Sequence, residues 1–192
     1  MTKEINFFSK SHEYGFLSNF WPCLICSYQF VGRRGFNNNI TGGIRKGVFK
    51  HEQWYLSSEH FYQSMKILTP YWNMKNLQCP TIMTMEFSKA LSIHRWIANA
   101  PDPYYAFKAG RSLRKKDGFI QADFDKIKVD VMRHGLSMKF ENPELRQKLL
   151  DTDDAILHED SPTDMFWGKK GKDMLGKLLM ELREQIKEED QC

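Results

Sequence analysis

Two short segments of this chain each place a carboxylate beside aromatic side chains. Glu59 lies in the segment 57–60, with sequence Ser-Ser-Glu-His, and Asp164 lies in the segment 161–168, with sequence Ser-Pro-Thr-Asp-Met-Phe-Trp-Gly. A carboxylate beside a ring can hold its negative charge against a cationic intermediate. Cleavage of a bond between a sugar and a base builds positive charge on the sugar carbon and uses two carboxyl groups. The two segments therefore favour chemistry of this class.

The Glu59 segment predicts the start of a helix, from Ser57 or Ser58 to about Leu68, with Pro70 beyond its end. The 3.6-residue period places four side chains on one face, namely Glu59, Tyr62, Gln63 and Lys66. The helix dipole favours the ionised form of an acid in the first turn. The alternative interpretation is a helix cap with a solvated polar face.

The Asp164 segment allows two interpretations. Its aromatic residues, Phe166 and Trp167, either line a cleft that holds the carboxylate or fill the core. In the second case Asp164 makes an ordinary hydrogen bond within a turn. The segment alone does not separate these alternatives.

The spacing of the histidines and cysteines does not predict a metal site. Cys23 and Cys26 have two-residue spacing, but Cys79 and Cys192 are isolated and do not complete a set of four thiolates. The histidines have no acidic or histidine partner at metal-ligand spacing, and His60 should point about 100° away from Glu59 on a helix. We expect no metal, no cofactor and reduced thiols.

We expect one cytoplasmic globular domain spanning residues 1–192. Hydrophobic residues make up 41% of the 192 residues, and the apolar runs are too short for a membrane span or a signal peptide. The formal net charge is +4. Basic residues cluster at Arg33-Arg34, Arg45-Lys46 and 111–116, which is typical of a solvated face or of a surface that contacts nucleic acid.

The pattern of apolar residues predicts an α+β fold, predominantly α-helical, with a small N-terminal β-sheet. Residues 5–31 should form short strands, 32–47 a loop or hairpin, and 156–158 a short strand. Residues 69–83 should be irregular. Further helices are predicted over 84–98 with Thr84 as cap, 104–116, 123–140, 143–150 with Asn142 as cap, and 172–188 with Leu175, Leu178, Leu179, Leu182 and Ile186 on one face.

The order of several short motifs resembles the NADAR family (NAD- and ADP-ribose-associated). The resemblance covers residues 5–188 and rests on the segments 14–20, 57–63, 109–111, 131–132, 139–140, 142–145, 161–168, 175–176 and 179–183. It implies a single domain of that family. Departures from the family pattern occur at Tyr55-Leu56 and Phe124, where relatives tend to have Trp-Pro and Trp, and in the longer segments 32–47 and 69–104. The substituted positions belong either to a stacking wall or to the core.

Family members are N-glycosidases, so the resemblance implies a hydrolase that acts on the ribosyl C–N bond. Some members cleave phosphoribosylamino-pyrimidine intermediates of riboflavin synthesis and release ribose 5-phosphate and the base. Others are thought to remove ADP-ribose from modified nucleobases. A small-molecule phosphoribosyl or ADP-ribosyl substrate is therefore expected, with nucleic acid as an alternative partner and no membrane. A non-catalytic module that binds ADP-ribose or another nucleotide is the alternative of another class.

Within this hypothesis Glu59 and Asp164 are the catalytic residues. One stabilises the cationic carbon, and the other orients or deprotonates the attacking water. The remaining site residues are expected to bind substrate. They are the rings of Phe20, Tyr62 and Trp167, the phosphate ligands Lys66 and Arg111, the hydrogen-bonding Asn19, and Gly168.

Overall fold

The computed structural model describes residues 3–9, 11, 13–37, 44–68, 85–113 and 124–191. Six helices and two two-stranded sheets occur in these ranges, so the fold is mostly helical with small sheets, as predicted. The chain divides into two compact units. The first comprises residues 1–25, 57–59 and 127–192, and the second comprises 26–56 and 60–126. The assignment of one domain to residues 1–192 stays a prediction.

The first unit contains a parallel pair of strands from opposite ends of the chain. Strand β1 (Glu4–Phe7) pairs with β4 (Ile156–Glu159), so that Phe7 lies opposite Glu159. Ile5, Phe7 and Leu157 are buried because alternate residues of each strand face the core. The predicted strand at 156–158 is confirmed, although its pairing with the N-terminal strand was not predicted.

Three helices continue the first unit: α4 (Phe124–Lys139, whose first three residues belong to the second unit), α5 (Pro143–Leu150) and α6 (Met174–Gln191). The Asn142 side chain caps α5 by accepting hydrogen bonds from the backbone N–H groups of Glu144 and Leu145, as predicted. The predicted apolar face of α6 is buried throughout. Helix α6 packs closely on β4, since a Cβ atom at Gly176 would stand 2.0 Å from the carbonyl oxygen of Leu157.

The second unit holds strands β2 (Ile25–Asn37) and β3 (Ile44–Tyr55), which are hydrogen-bonded neighbours, as the hairpin interpretation predicts. It also holds α2 (Met85–Ala98), α3 (Pro103–Ser112) and most of α1 (Ser58–Leu68), whose first two residues belong to the first unit. Its core cluster consists of residues from three helices and the α2–α3 connection, namely Ile67, Ala90, Leu91, Ile97, Ala100, Ala106 and Ala109.

Both aromatic departures from the family pattern lie in the core. Tyr55 is fully buried, packs edge-on against Phe61 at 5.2 Å between ring centroids, and its hydroxyl hydrogen-bonds His94 at 3.2 Å. Phe124 is buried against Tyr62, with ring centroids 5.6 Å apart. The core interpretation of these two positions is therefore the one that the structure supports.

Three helix ends differ from the predicted ones by two residues or more, and one of these is the end of α6, at Gln191 instead of about 188. Helix α6 begins at Met174 instead of 172 because Asp173 has a φ of 51°, outside the helical region. Helix α3 ends at Ser112 because Leu113 is extended, with ψ of 132°. The predicted cap Thr84 and the predicted irregular segment 69–83 lie outside the described residues.

Candidate active site

Glu59 is buried at the start of α1, with 5% of its surface exposed. Its backbone N–H donates a 3.1 Å hydrogen bond to the carbonyl oxygen of Asn19. The other three residues predicted to share its face are not solvated as a group, because Tyr62 is 6% and Gln63 is 3% exposed and only Lys66 is partly exposed. The interpretation of this face as a solvated polar surface is therefore wrong.

Asp164 lies in a tight turn between β4 and α6. Its Oδ1 atom accepts 2.8 Å hydrogen bonds from the backbone N–H groups of both Phe166 and Trp167. The turn hydrogen bond that we expected for the alternative in which the aromatic residues fill the core is thus present. It engages one carboxylate oxygen, fixes the plane of the carboxylate, and leaves the side chain partly exposed.

Gly168 is required by the same turn. Its N–H donates to the carbonyl oxygen of Asp164 at 3.1 Å, and a Cβ atom there would stand 2.6 Å from that oxygen. The next amide, that of Lys169, donates to the carbonyl oxygen of Glu159 at 2.8 Å. The turn therefore ties Asp164 to the end of β4, where Glu159 is located.

Glu159 is a buried carboxyl group that the sequence pattern did not single out. Burial raises its pKa to about 8, and the nearby negative charges of Glu59, Asp164 and Asp173 raise it further, while the positive charge of Lys139 lowers it. The structure thus brings the two predicted acids, Glu59 and Asp164, to one shared carboxyl group. At neutral pH Glu159 therefore carries a proton.

Lys139, the last residue of α4, is the buried cation of this cluster. It is 1% exposed, and its ammonium group donates a 2.8 Å hydrogen bond to the carbonyl oxygen of Ser18. Burial lowers its pKa to about 8, and the charges of Cys23 and Glu159 oppose that shift. Burial also raises the pKa of the Cys23 thiol.

Lys139 belongs to a segment that carries the family resemblance, but nothing in the sequence indicated its burial. A lysine in the last turn of a helix is ordinarily a solvated residue that complements the helix dipole. For Glu159 the sequence did offer a signal, because this residue directly follows the predicted strand 156–158 and comes five residues before Asp164.

Asp173 contacts both His158 and the backbone of Glu159 in β4. The two side chains are 2.5 Å apart between Nδ1 and Oδ2, and the other Asp173 oxygen accepts a 3.3 Å hydrogen bond from the N–H of Glu159. Asp173 therefore contacts the backbone of Glu159, and its charge acts on the Glu159 carboxyl group.

Two aromatic residues follow Asp164 in the loop, and two lysines lie beside one of them. Phe166 and Trp167 contact each other edge-on at 4.9 Å between ring centroids, and both are partly exposed. The ammonium group of Lys128 lies 3.7 Å from the centroid of the Phe166 ring, and that of Lys172 lies 5.4 Å from it. Positive charge is thus held beside the Phe166 ring.

The first unit contains six of the nine predicted site residues: Asn19, Phe20, Glu59, Asp164, Trp167 and Gly168. Tyr62, Lys66 and Arg111 belong to the second unit. The Lys66 ammonium lies 5.4 Å from the Tyr62 ring, and the Arg111 guanidinium lies 5.2 Å from the Phe107 ring. The substrate-binding roles of all these residues stay predictions.

His60 packs as predicted rather than joining the acids, since it is fully buried and its Nε2 lies 3.1 Å from the carbonyl oxygen of Ala100. Within the described ranges no group of three His, Cys, Asp or Glu side chains is placed to bind a metal ion. Metal independence itself stays a prediction. No helix found in those ranges has both the length and the apolar character needed to cross a membrane.

Comparison with known proteins finds relatives that are named as N-glycosidases or as riboflavin biosynthesis proteins. A plant riboflavin biosynthesis protein, PYRR of Arabidopsis thaliana, described as chloroplastic, is 37% identical over 85% of this chain, which spans 27% of the plant protein. An N-glycosidase of Nostoc punctiforme is 32% identical over 73% of this chain and 80% of its own length. The cytoplasmic location predicted for this chain is not tested by these names.

The N-glycosidase YbiA of Escherichia coli is 30% identical over 95% of this chain and 88% of its own length. Its NMR structure superposes with a TM-score of 0.62, covering 98% of this chain and 88% of YbiA. These relatives confirm the prediction of a hydrolase that acts on N-glycosyl compounds. The NADAR domain matches residues 6–187, which is nearly the whole of the 192-residue sequence, so this chain belongs to the NADAR domain family.

Proposed function

We propose that this chain hydrolyses the ribosyl C–N bond of phosphoribosylamino-pyrimidine intermediates of riboflavin biosynthesis and releases ribose 5-phosphate and the free base. The observation that carries this proposal is the acid cluster, in which the charges of Glu59 and Asp164 help to raise the pKa of Glu159 and so keep its carboxyl group protonated. The relatives named as N-glycosidases and riboflavin biosynthesis proteins support the same reaction class and substrate class.

The reaction needs a proton donor for the departing base. Glu159 is suited to this role, because its pKa of about 8 keeps it protonated at neutral pH. As the C–N bond breaks, its electron pair moves to the base nitrogen, which takes the proton from Glu159. Lys139, close to Glu159, limits the cost of the negative charge left there.

Positive charge then develops on the ribosyl carbon. A carboxylate about 4 Å from that charge contributes on the order of 4 kcal/mol at an effective dielectric constant near 20. This corresponds to roughly a thousandfold in rate. Either Glu59 or Asp164 supplies this stabilisation. The other carboxylate takes a proton from the attacking water, whose oxygen forms the new bond to the carbon.

The decisive experiment is a product assay. Purified protein is incubated with phosphoribosylamino-pyrimidines and, separately, with ADP-ribosylated oligonucleotides, and the released sugar and base are measured. Release of ribose 5-phosphate from the first substrate supports the proposal. Release of ADP-ribose from the oligonucleotides alone would move the assignment to nucleobase de-ADP-ribosylation. Binding of ADP-ribose without turnover of either substrate would make the chain a non-catalytic module.

A further inference from the structure

The side chain of Asn19 is buried, with 6% of its surface exposed, in the segment that follows the short 3-10 turn Gly15–Leu17. Its amide nitrogen Nδ2 donates to the thioether sulfur of Met132 at 3.2 Å. A thioether sulfur accepts hydrogen bonds and cannot donate them. The NH₂ group of Asn19 must therefore face Met132, and the orientation of the carboxamide is fixed chemically.

That orientation directs the carbonyl oxygen Oδ1 of Asn19 away from Met132. Oδ1 is buried and has no hydrogen-bond partner among the residues that the structure describes. A buried acceptor without a donor costs folding free energy, and native proteins rarely retain one without a reason. An acceptor kept unsatisfied beside catalytic residues is explained by a ligand that supplies the missing donor.

The surroundings of Asn19 place this acceptor at the acid cluster. The backbone carbonyl oxygen of Asn19 accepts the N–H of Glu59 at 3.1 Å. The preceding carbonyl, that of Ser18, accepts the Lys139 ammonium at 2.8 Å. Two adjacent carbonyl groups thus hold one predicted catalytic acid and the buried lysine, and the Asn19 side chain starts from between them.

We propose that Oδ1 of Asn19 accepts a hydrogen bond from a secondary hydroxyl group of the ribosyl moiety of the substrate, so that Asn19 selects ribosyl over deoxyribosyl ligands. This inference rests on the proposed function, since it assigns the sugar to the same site. An acceptor oxygen cannot bind a phosphate dianion, which has only acceptor atoms at neutral pH. A sugar hydroxyl supplies the required donor.

The discrimination expected from such a contact is large for a single group. A deoxy sugar leaves Oδ1 buried and unsatisfied in the complex, whereas the ribosyl ligand satisfies it. We expect the loss of the contacted hydroxyl to weaken binding by about tenfold or more. Replacement of Asn19 by alanine removes the acceptor, so the same loss should then have little effect.

The test measures binding by calorimetry with three probes: ribose 5-phosphate, its 2-deoxy analogue and its 3-deoxy analogue. Wild-type protein should bind ribose 5-phosphate about tenfold more tightly than one of the two analogues, and Asn19→Ala should bring that ratio close to one. Equal binding of all three probes by wild-type protein would overturn the proposal, and so would a ratio that persists in Asn19→Ala.

Two further variants keep the test interpretable. Met132→Leu leaves Asn19 in place and replaces the sulfur that orients its amide by hydrocarbon, so the ratio should fall. This variant takes the place of Asn19→Ala if that variant does not fold. Asn142→Ala is the matched control, because it removes an equal side chain that caps α5, and its ratio should equal that of the wild type.

The hydrolysis assay separates this proposal from the proposed function. Turnover of the phosphoribosyl substrate with an unchanged binding ratio in Asn19→Ala overturns the hydroxyl contact and keeps the hydrolase. A ratio that collapses in Asn19→Ala, in a protein that turns over none of the N-ribosyl substrates, keeps the contact and overturns the hydrolase. If the base rather than the sugar supplies the donor, wild-type protein will not distinguish the three sugar phosphates.

Discussion

The ammonium group of Lys139 donates a 2.8 Å hydrogen bond to the carbonyl oxygen of Ser18, across 121 residues of sequence. The adjacent carbonyl group, on Asn19, accepts the backbone N–H of Glu59. One dipeptide therefore joins the end of α4 to the start of α1. The same contacts place a buried cation and a buried acid close to Glu159, whose pKa responds to both charges.

Glu59→Gln and Asp164→Asn should each abolish the release of ribose 5-phosphate, with a loss of roughly a thousandfold or more, because one removes the negative charge that stabilises the developing cation and the other removes the base that takes a proton from the attacking water. Folding should be retained. Asparagine at 164 keeps an acceptor for the N–H groups of Phe166 and Trp167, and the contact of Glu59 with Asn19 uses only the backbone. Single-turnover release of sugar is the measurement.

The matched control for these acids is Glu144→Gln. Glu144 is an exposed acid in the first turn of α5, paired with Lys148, so its loss should leave turnover unchanged. Near-wild-type turnover by both Glu59→Gln and Asp164→Asn would show that neither acid is catalytic.

Glu159→Gln should make the folded protein more stable at alkaline pH while lowering its activity. The folded-state pKa of Glu159 is raised from 4.5 to about 8, so its contribution to stability is fully present below pH 4.5 and is lost as the pH rises through 8. Glutamine stays neutral. We expect the melting temperature of the variant to exceed that of the wild type by roughly 3 °C or more at pH 9.

The difference between Glu159→Gln and wild type should shrink as the pH is lowered from 9 to 5. The pKa shift of Lys139 changes stability with pH in the opposite direction, between pH 8 and pH 10.5. Its pKa is lowered from 10.5 to about 8, so its contribution to stability is present above pH 10.5 and is lost as the pH falls through 8. A melting-temperature difference that does not change with pH would contradict the assigned protonation of Glu159.

Lys139→Met should move the alkaline limb of the pH profile of kcat/KM to higher pH. The positive charge of Lys139 lowers the pKa of Glu159, so its removal keeps Glu159 protonated to a higher pH than about 8. Lys148→Met, which removes a partly exposed lysine from α5, should leave the limb in place. An unshifted limb in Lys139→Met would mean that Glu159 is not the proton donor.

Gly168→Ala should lower both stability and activity. The added Cβ atom would stand 2.6 Å from the carbonyl oxygen of Asp164 and 3.1 Å from the Cβ of Ser161, so the backbone of the turn must move. Strain of this kind costs typically 1–3 kcal/mol. Chemical denaturation and the product assay measure the two effects.

Gly15→Ala is the milder comparison for Gly168→Ala. Its Cβ atom would meet the ring edge of Trp21 at 3.3 Å, where a side chain can give way. Equal losses of stability in the two glycine variants would remove the argument that the Asp164 turn requires Gly168.

Features governed by local chain chemistry were predictable. The cap of α5 by Asn142, the start of α1 after Ser57 and the apolar face of α6 depend on residues within a few positions of each other, and all three are confirmed. The start of α6 was misplaced because a distant contact decides it. Asp173 adopts a positive φ while its side chain contacts His158 on β4.

The same distinction between local and long-range contacts applies to the candidate site. By itself, the sequence determined the helical class of the fold and the two acid segments with their neighbouring rings and glycine, because capping, periodicity and turn chemistry are local. The tertiary structure alone decided that Glu59 and Asp164 share a third carboxyl group, Glu159, and that Lys139 is buried with them. Burial and the charges that shift a pKa depend on residues from separate segments of the chain, such as Glu59, which lies 100 positions before Glu159, and only folding brings them together.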